Sequence, residues 1–172
     1  MTTMAPGLRK LVLTTHVTCS VGWLGAVGSF LALALVGLTS HDDQRARAVY
    51  VAMDVVAWFM ILPLSLASPA TGIVQSLATR WGLFRHYWVL IKLLMTIPSC
   101  LFLLVHMRPI GHIARMAAAS TLASGELGAL RLKLAVNAGA AILVLLVATM
   151  LSIYKPRGLT RYGQRREREV NR

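Results

Sequence analysis

The sequence predicts an all-α protein, a bundle of four transmembrane helices, and three observations support this prediction. Of the 172 residues, 56% are hydrophobic, and the mean hydropathy is +0.65. Charged residues make up only 14% of the chain. Four long segments are almost free of charge, and each has at least the ~20 residues that a helix needs to cross about 30 Å of hydrocarbon. A soluble domain needs charged residues over its whole surface, so lipid is the predicted solvent.

The four segments define the predicted domain organisation. We predict spans over about residues 11–38, 48–78, 86–107 and 132–154 in a transmembrane domain of residues 1–155, followed by a basic tail of residues 156–172. A cleaved signal peptide is the competing interpretation of the first segment, because Arg9 and Lys10 precede it. The segment is longer than the about 7–15 apolar residues of a signal peptide, which favours a span.

Lys and Arg are unevenly divided between the two faces of the predicted bundle. Eleven lie on the face that both termini share and six on the other face, while Lys92 lies within a span. Because basic residues concentrate on the cytoplasmic side, we expect a multi-pass protein of the cell inner (plasma) membrane with both termini cytoplasmic. The net charge of +12 does not indicate a nucleic-acid partner, since the tail is a short mixture of Arg, Glu and Gly. Contact of this tail with anionic lipid of the bilayer is favoured instead.

The third loop, about residues 108–133, is the longest predicted connection. Its middle, residues 113–130, is rich in Ala and poor in charge, with Gly125 and Gly128 as expected helix breakers. We predict that a short amphipathic helix lies on the outer surface there. Pro63, Pro69 and Pro98 fall inside predicted spans and are expected to kink them.

Two ionisable side chains, His16 and Lys92, lie at matching depths in the predicted membrane. Each is about five residues inside its span from the cytoplasmic side, roughly 8 Å below the boundary. Burying such groups in lipid costs about 2.5–3.5 kcal/mol, so their presence requires a reason. If the first and third helices face each other, an imidazole and an amine lie together, and both are competent ligands of a haem iron in their neutral forms. Two alternatives stay open: Lys92 can extend its ammonium to the interface, and His16 can be a hydrogen-bonded helix contact.

Polar stripes at helical spacing predict a semi-polar interior in the cytoplasmic half of the bundle. Such an interior suits a flat cofactor or a lipophilic substrate. The candidate cofactor-binding residues on these stripes are His16, Trp23, Gln75, Trp88 and Lys92. The candidate metal ligands are His16, Lys92 and, at the outer edge of the third span, His106.

A second polar pair, Asp54 and Asn137, lies about five residues inside the outer boundary. We interpret it as a structural contact, in which the two side chains bond each other or Trp58. Cys19 and Cys100 fall within apolar spans and indicate packing rather than a disulfide or a metal motif.

The chain resembles small four-helix bacterial membrane proteins related to the HemJ-type protoporphyrinogen oxidases and, more distantly, CopD-like membrane proteins. The matching parts are His16 followed, after six residues, by Trp23-Leu24-Gly25, and the stretch at residues 88–93, WVLIKL. An uncharacterised bacterial family of the same size is closer still, through residues 81–82, 84–92 and 154–158. This last resemblance covers nearly the whole chain and implies no activity.

In the HemJ-type proteins, the first-helix histidine and the third-helix lysine are associated with haem or porphyrin. The resemblance therefore implies these roles for His16 and Lys92, with haem b as the cofactor. Those proteins usually carry a second histidine two positions before the lysine, where this chain has Leu90, and their Pro-Arg motif after the first-helix tryptophan is missing. The resemblance thus implies a haem site without implying the oxidase activity.

We hypothesise a membrane-embedded haem- or porphyrin-binding protein with a redox role, in which His16 ligates the iron and Lys92 is the second ligand or a propionate partner. The alternative is a non-enzymatic protein that carries a small solute or a metal such as copper, or that acts as a partner subunit of a homo-oligomer or of another membrane protein. The stripe from Lys92 to His106 and the Gly-rich first helix favour this alternative. The sequence indicates no catalytic residue.

Overall fold

The structure, a computed structural model, describes residues 4–78, 82–119, 125–156 and 158–170. These ranges are all-α, with no strand among them, and four of their helices are long and apolar enough to cross a membrane. Span one is α1 (Pro6–Thr39), span three is α4 (Tyr87–Ala118) and span four is α5 (Gly125–Tyr154). Span two consists of α2 (Asp43–Val56), a π-helical turn (Ala57–Ile61) and α3 (Leu62–Leu77), and the shorter helix α6 (Arg161–Val170) follows span four. The predicted fold class is confirmed.

The outer surfaces of the spans are apolar, as lipid requires. Large hydrophobic side chains such as Val21, Leu94, Val105 and Leu143 are more than half exposed. Soluble monomers rarely expose contiguous apolar surface of this extent. The chain is therefore an integral membrane protein, with its helices packed into a bundle and their apolar faces turned outward.

Both termini lie at one end of the bundle, which we call the terminal end, and the opposite end is the distal end. Span two begins at the distal end, where the Asp42 carboxylate accepts hydrogen bonds from the backbone N–H groups of Gln44 and Arg45, at 2.9 and 3.4 Å. This N-cap satisfies donors that have no partner within the helix, and it starts the helix five residues before the predicted boundary. Span one begins with Pro6, whose missing N–H costs nothing in a first turn.

The half of the bundle nearer the distal end, the distal half, is closely packed. Tyr50, Met53 and Ile113 are each about 1% exposed, and they belong to one continuous core that draws on all four spans. The Tyr50 ring lies against Gly37 of span one, where a Cβ atom would be 2.7 Å from the Tyr50 Cζ atom. A larger residue there would require the Tyr50 ring to move, so glycine at this position permits the close approach of spans one and two.

The short surface helix predicted for the third loop is not confirmed. Span three continues to Ala118 and span four begins at Gly125, so residues 113–118 and 125–130 extend these two helices. Ile110, Ile113 and Ala117 are buried, and span three packs extensively against α2 here. Their spacing of three to four residues is that of a buried helix face, which the charges around it obscure in the sequence. The connecting residues 120–124 lie outside the described ranges.

The middle of span two is irregular, and its terminal half diverges from span three. The π-helical turn ends at Ile61, and Pro63 and Pro69 follow within the next eight residues. Pro69 has no N–H to donate to the Ser65 carbonyl, and the Cys100 thiol donates to that carbonyl instead, at 3.0 Å. After this contact α3 packs mainly against span one and much less against span three. Space is left between the spans in the terminal half.

The predicted basic tail contains helix α6 and is attached to the loop between spans two and three. The Thr160 hydroxyl donates to the Phe84 carbonyl oxygen at 2.5 Å, and the Thr160 N–H donates to the Arg85 carbonyl oxygen at 3.0 Å. The Tyr87 N–H donates to the Gly158 carbonyl oxygen at 3.3 Å. We call residues 158–160 the strap. The Thr160 oxygen also caps α6 by accepting from the Gly163 N–H at 3.1 Å.

Candidate functional site

A cavity of about 460 Å³ occupies the terminal half of the bundle, and we call it the terminal cavity. This volume lies within the range of small-molecule pockets in proteins, about 300–1,000 Å³. All four spans contribute to its walls. The polar and aromatic residues that line it are His16, Ser20, Trp23, Ser68, Gln75, Ser76, Trp88, Lys92, Thr96, Thr149, Ser152 and Lys155.

His16 is anchored to span two through one ring nitrogen. Its Nδ1 atom lies 2.9 Å from the Ser68 carbonyl oxygen and 3.2 Å from the Thr71 Oγ1 atom. A carbonyl oxygen can only accept, so the proton is assigned to Nδ1. The Thr71 hydroxyl donates to the Ala67 carbonyl oxygen at 2.7 Å, which leaves its oxygen free to accept from the imidazole.

The other ring nitrogen, Nε2, therefore carries the lone pair. It has no hydrogen-bond partner among the described residues, and the imidazole forms part of the cavity wall. Gly72 makes room for the ring, because a Cβ atom there would be 3.0 Å from the His16 Cε1 atom and 3.7 Å from Nε2. A histidine fixed through Nδ1–H to a carbonyl, with Nε2 available, has the arrangement of a metal-ligating histidine.

Lys92 is held on the opposite wall. Its ammonium Nζ donates to the Ser152 Oγ atom of span four at 2.6 Å, and Ser152 in turn donates to the Ala148 carbonyl oxygen at 2.8 Å. The Nζ atom also lies 5.9 Å from the centroid of the Trp88 ring, within cation–π range. The side chain extends towards the terminal end, as an interfacial lysine would, but it ends on a hydroxyl group of the cavity wall.

Spans one and three lie diagonally across the bundle, with the terminal cavity between them. Within the described ranges the two spans make no direct contact, and spans two and four complete the ring. His16 and Lys92 therefore face one cavity from different walls rather than contacting each other directly. Trp23 and Trp88 are both buried, and with the half-buried Gln75 they complete the set of five predicted cofactor-binding residues, all of which line this cavity.

His106 is not part of the site. Its ring stacks on Phe102, with centroids 3.8 Å apart, and its Nδ1 atom lies 3.0 Å from the Phe102 carbonyl oxygen. The predicted stripe on span three is thus divided, because Trp88, Lys92 and Thr96 face the cavity and His106 does not. Over the described ranges there is no group of three or more His, Cys, Asp or Glu side chains that could hold a metal ion. His106 stays a candidate ligand only on the sequence.

The predicted contact of Asp54 in the distal half is wrong. The Asp54 Oδ1 and Asn137 Nδ2 atoms are buried, and neither has a hydrogen-bond partner within the described part of the chain. Trp58, the other expected partner, is half exposed. Asp54 lies on span two and Asn137 on span four, and these two spans make no direct contact within the described ranges, so a shared depth does not bring the two side chains together.

The sequence interpretation missed the contribution of span four. Thr149, Ser152 and Lys155 line the terminal cavity and follow one another at intervals of three residues. Residues three apart share a helix face, and these are among the few polar residues of this span. This spacing is a signal in the sequence that span four contributes a polar face to the interior. The strap was not predictable in the same way, since its hydrogen bonds join residues more than seventy positions apart.

Comparison of the chain with models of protein families, with curated proteins and with solved structures finds no match in any of the three. What is shown of this protein therefore comes from its own sequence and structure. It is an all-α integral membrane protein of four membrane-spanning helices, with a cavity between them in the half nearest the termini.

Proposed function

We propose that the protein binds haem b, or a closely related porphyrin, in the terminal cavity and serves in a redox role. His16 is the residue that would ligate the haem iron. The observation that carries the proposal is the His16 imidazole, which is held at Nδ1 by the Ser68 carbonyl and presents a cavity-lining ring whose Nε2 lone pair is available. Haem iron is commonly held by one such histidine on the proximal side.

The other residues of the cavity wall suit haem, because they offer apolar surfaces to the macrocycle and hydrogen-bond donors to its acidic groups. Trp23 and Trp88 offer flat apolar surfaces to a macrocycle, and both are buried within the bundle. Lys92 donates one of its three N–H bonds to Ser152, so two remain for acidic groups. We assign Lys92 as a propionate partner rather than the second ligand, because its Nζ atom donates to the Ser152 Oγ atom of span four.

A bound haem would supply one-electron redox chemistry, and the chain supplies position and surroundings. Ser68 and Thr71 fix the orientation of the imidazole. Ser20 reinforces this wall through a hydrogen bond of 2.8 Å between its Oγ atom and that of Ser68. The packed distal half limits access of water to the inner end of the cavity, since Ile61 and Leu145 are buried there.

The proposed site lies in the cytoplasmic half of the inner membrane and opens towards the cytoplasm. The basic residues that outnumber those of the distal face lie near the terminal end, and basic residues mark the cytoplasmic side. This orientation places the mouth of the cavity at the cytoplasmic interface. The resemblance to the HemJ-type proteins separately supports haem or porphyrin as the ligand.

Absorption spectroscopy of the purified protein in mild detergent tests the proposal. Titration with haemin is expected to give a saturable Soret band in the wild-type protein. The His16→Ala variant should lose at least about tenfold in affinity, equivalent to about 1.4 kcal/mol. His106→Ala is the matched control, because it removes an intramembrane histidine that does not line the cavity. A wild-type protein that takes up no haemin, or a His16→Ala variant with wild-type affinity, contradicts the proposal.

A partner-subunit role is the second candidate, and the surface of span one favours it. Gly22 and Ala26 face inward, where Gly22 packs against Leu64 of span two. Gly25 and Ser29 instead lie exposed on the outer surface. Small residues spaced four apart on a lipid-facing surface permit close helix contact. Chemical cross-linking in membranes, compared between the wild type and Gly25→Leu, tests whether a second copy or another subunit packs there.

A further inference from the structure

Part of the wall of the terminal cavity is also outer surface of the bundle. On span one, Leu13, Val17 and Val21 line the cavity and are 45%, 50% and 63% exposed. On span four, Ile153 lines the cavity and is 70% exposed, and Thr149, about one turn earlier, is exposed as well. Side chains that line a cavity and are also exposed on the outside of the bundle lie at an opening.

The opening lies between spans one and four, because the other two spans close their sides of the cavity. The lining residues that the structure describes on spans two and three are all buried or half-buried. Among them, Ser68 and Val89 are each 6% exposed. We call the gap between spans one and four the lateral opening, and its edge consists of Leu13, Val17, Val21, Thr149 and Ile153.

Span four is covered in the distal half and uncovered at the lateral opening. Ala135 and Ile153 are eighteen residues apart, about five turns, so both point to the same side of span four. Ala135 is 6% exposed and belongs to the continuous core, and spans one and four pack extensively against each other. Because Ile153 is exposed on that same side, the two spans separate towards the terminal end.

The lateral opening extends deep into the hydrocarbon of the bilayer. Val21 lies ten residues beyond residue 11, where span one is predicted to begin, and is therefore about 15 Å below the boundary. This depth is half of the about 30 Å of hydrocarbon. The edge of the opening is apolar except for Thr149, whose hydroxyl donates to the Leu145 carbonyl oxygen at 2.8 Å. The opening therefore borders acyl chains rather than water.

Polar groups lie inside the cavity, behind this apolar edge. His16 is anchored to span two and Lys92 to span four, and both line the cavity. A small hydrophilic solute gains nothing from an opening into lipid, because its transfer from water to hydrocarbon is costly. A molecule with a large apolar body and a few polar groups suits both the opening and the interior. The geometry thus favours a ligand that is dissolved in the membrane.

We propose that the terminal cavity takes its ligand from the bilayer, through the lateral opening, and that this ligand is a membrane-dissolved amphiphile. This route rests on the proposed function, because it describes how haem or porphyrin reaches the site. The apolar macrocycle moves sideways from the acyl chains into the cavity. Its acidic groups stay near the terminal end of the bundle, within reach of headgroups and water, so no charge has to cross the hydrocarbon.

Uptake of haemin by the full-length protein in phosphatidylcholine vesicles tests this route. Haemin is added to the vesicles, and growth of the Soret band of the bound haem is followed by stopped-flow absorption. A larger side chain at the edge, in Val17→Trp or in Thr149→Trp, narrows the opening from span one or from span four. We expect each variant to take up and release haemin at least about fivefold more slowly than the wild type, with an unchanged Kd, because a barrier slows both directions equally.

Val147→Trp is the matched control for these two variants. Val147 lies on span four in the terminal half, is 44% exposed and is not among the cavity-lining residues. The same enlargement at a similar exposure should therefore leave both rates unchanged. Thermal unfolding of the three variants shows whether they fold, and we expect a wild-type Tm because all three positions are exposed.

Dilution separates the membrane route from an aqueous one. If haemin arrives through the bilayer, vesicles with more lipid at the same amounts of haemin and protein take it up more slowly, whereas added buffer leaves the rate unchanged. A rate that falls on addition of buffer, or wild-type rates in both Val17→Trp and Thr149→Trp, overturns the lateral route and leaves the haem proposal standing. A loss of affinity in these variants at unchanged uptake rates also overturns the route. A wild-type protein that takes up no haemin overturns both proposals.

Discussion

The two halves of the bundle are built from the same four helices but are packed differently. In the distal half, the side chains of Tyr50, Met53 and Ile113 are each about 1% exposed. Gly37 permits spans one and two to approach closely there. In the terminal half, the same spans enclose a cavity of about 460 Å³. The irregular π-helical turn and the prolines of span two lie at the transition. The change from a packed half to a half with a ligand-sized space therefore coincides with a local break in one helix.

The hydrogen bonds differ between the halves in the same way. In the terminal half, His16, Ser20 and Lys92 each bond to a neighbouring span. In the distal half, the Asp54 Oδ1 and Asn137 Nδ2 atoms are buried and have no hydrogen-bond partner in the described ranges. Unsatisfied buried groups are costly, so the apolar packing around them must supply the stability of that half. This contrast predicts where substitutions act on stability and where they act on binding.

The largest effect on stability is expected from Ile113→Ala in the distal half. The side chain is about 1% exposed, and its removal leaves a cavity in a packed core, at a cost of about 2–5 kcal/mol. Ile73→Ala is the matched control, because that isoleucine is half-buried and borders space that already exists. Thermal unfolding in detergent compares the two variants. An equal loss of stability would mean that the halves do not differ in packing.

A smaller effect is expected from Gly37→Ala. The added methyl group would lie 2.7 Å from the Tyr50 Cζ atom, so the ring must move, and overpacking of this kind costs about 1–3 kcal/mol. The same substitution at Gly28 meets no atom within 4 Å and should be neutral or stabilising, because alanine favours the helix by up to about 1 kcal/mol. Opposite signs of the change in Tm support the close contact. Equal changes would refute it.

In the terminal half, Gly72→Ala should act on binding rather than on stability. Its methyl group would lie 3.0 Å from the His16 Cε1 atom and displace the imidazole into the cavity. We expect haemin affinity to fall about tenfold, or about 1.4 kcal/mol, with a Tm close to that of the wild type. Gly139→Ala is the control, since it meets no atom within 4 Å. Unchanged affinity in Gly72→Ala would show that the position of His16 does not matter for binding.

The smallest effect is expected at the strap. Thr160→Ala removes the hydroxyl that bonds the Phe84 carbonyl and caps α6, and loss of such a cap costs about 1 kcal/mol. Because this contact joins the tail to the bundle, its loss should speed proteolysis of residues 161–172 while the spans stay intact. Thr160→Ser keeps the hydroxyl and should behave as the wild type. Wild-type resistance in Thr160→Ala would mean that the strap does not hold the tail.

Much of the fold and most of the candidate site follow from local properties of the sequence. The length of the four almost uncharged segments predicts the four spans. The shared depth of His16 and Lys92 predicts that these two residues border one interior space. The terminal cavity contains both residues together with Trp23, Gln75 and Trp88. The prediction of the four spans is confirmed. Both predictions rest on helical spacing and burial cost, which act within one helix, where sequence separation measures distance directly.

The failures concern relations between helices. The surface helix predicted for the third loop is not confirmed, because charges at Arg108, Arg115 and Arg131 obscure in the sequence the buried face of span three. The orientation of Asp54 and the strap to the Phe84 loop depend on helix rotation and on distant hydrogen bonds. Nothing local determines these features, so the structure was needed to find them.

Nuclear magnetic resonance of the ¹⁵N-labelled histidine side chains tests whether His16 binds the metal of a porphyrin through Nε2. It is performed at about pH 8, with and without zinc protoporphyrin as a diamagnetic stand-in for haem. We expect His16 to carry its proton on Nδ1, and only its Nε2 resonance to shift to a metal-bound position on addition of the porphyrin, while His106 is unchanged. A proton on His16 Nε2, or a His16 signal unaffected by saturating porphyrin, would contradict the proposed ligation.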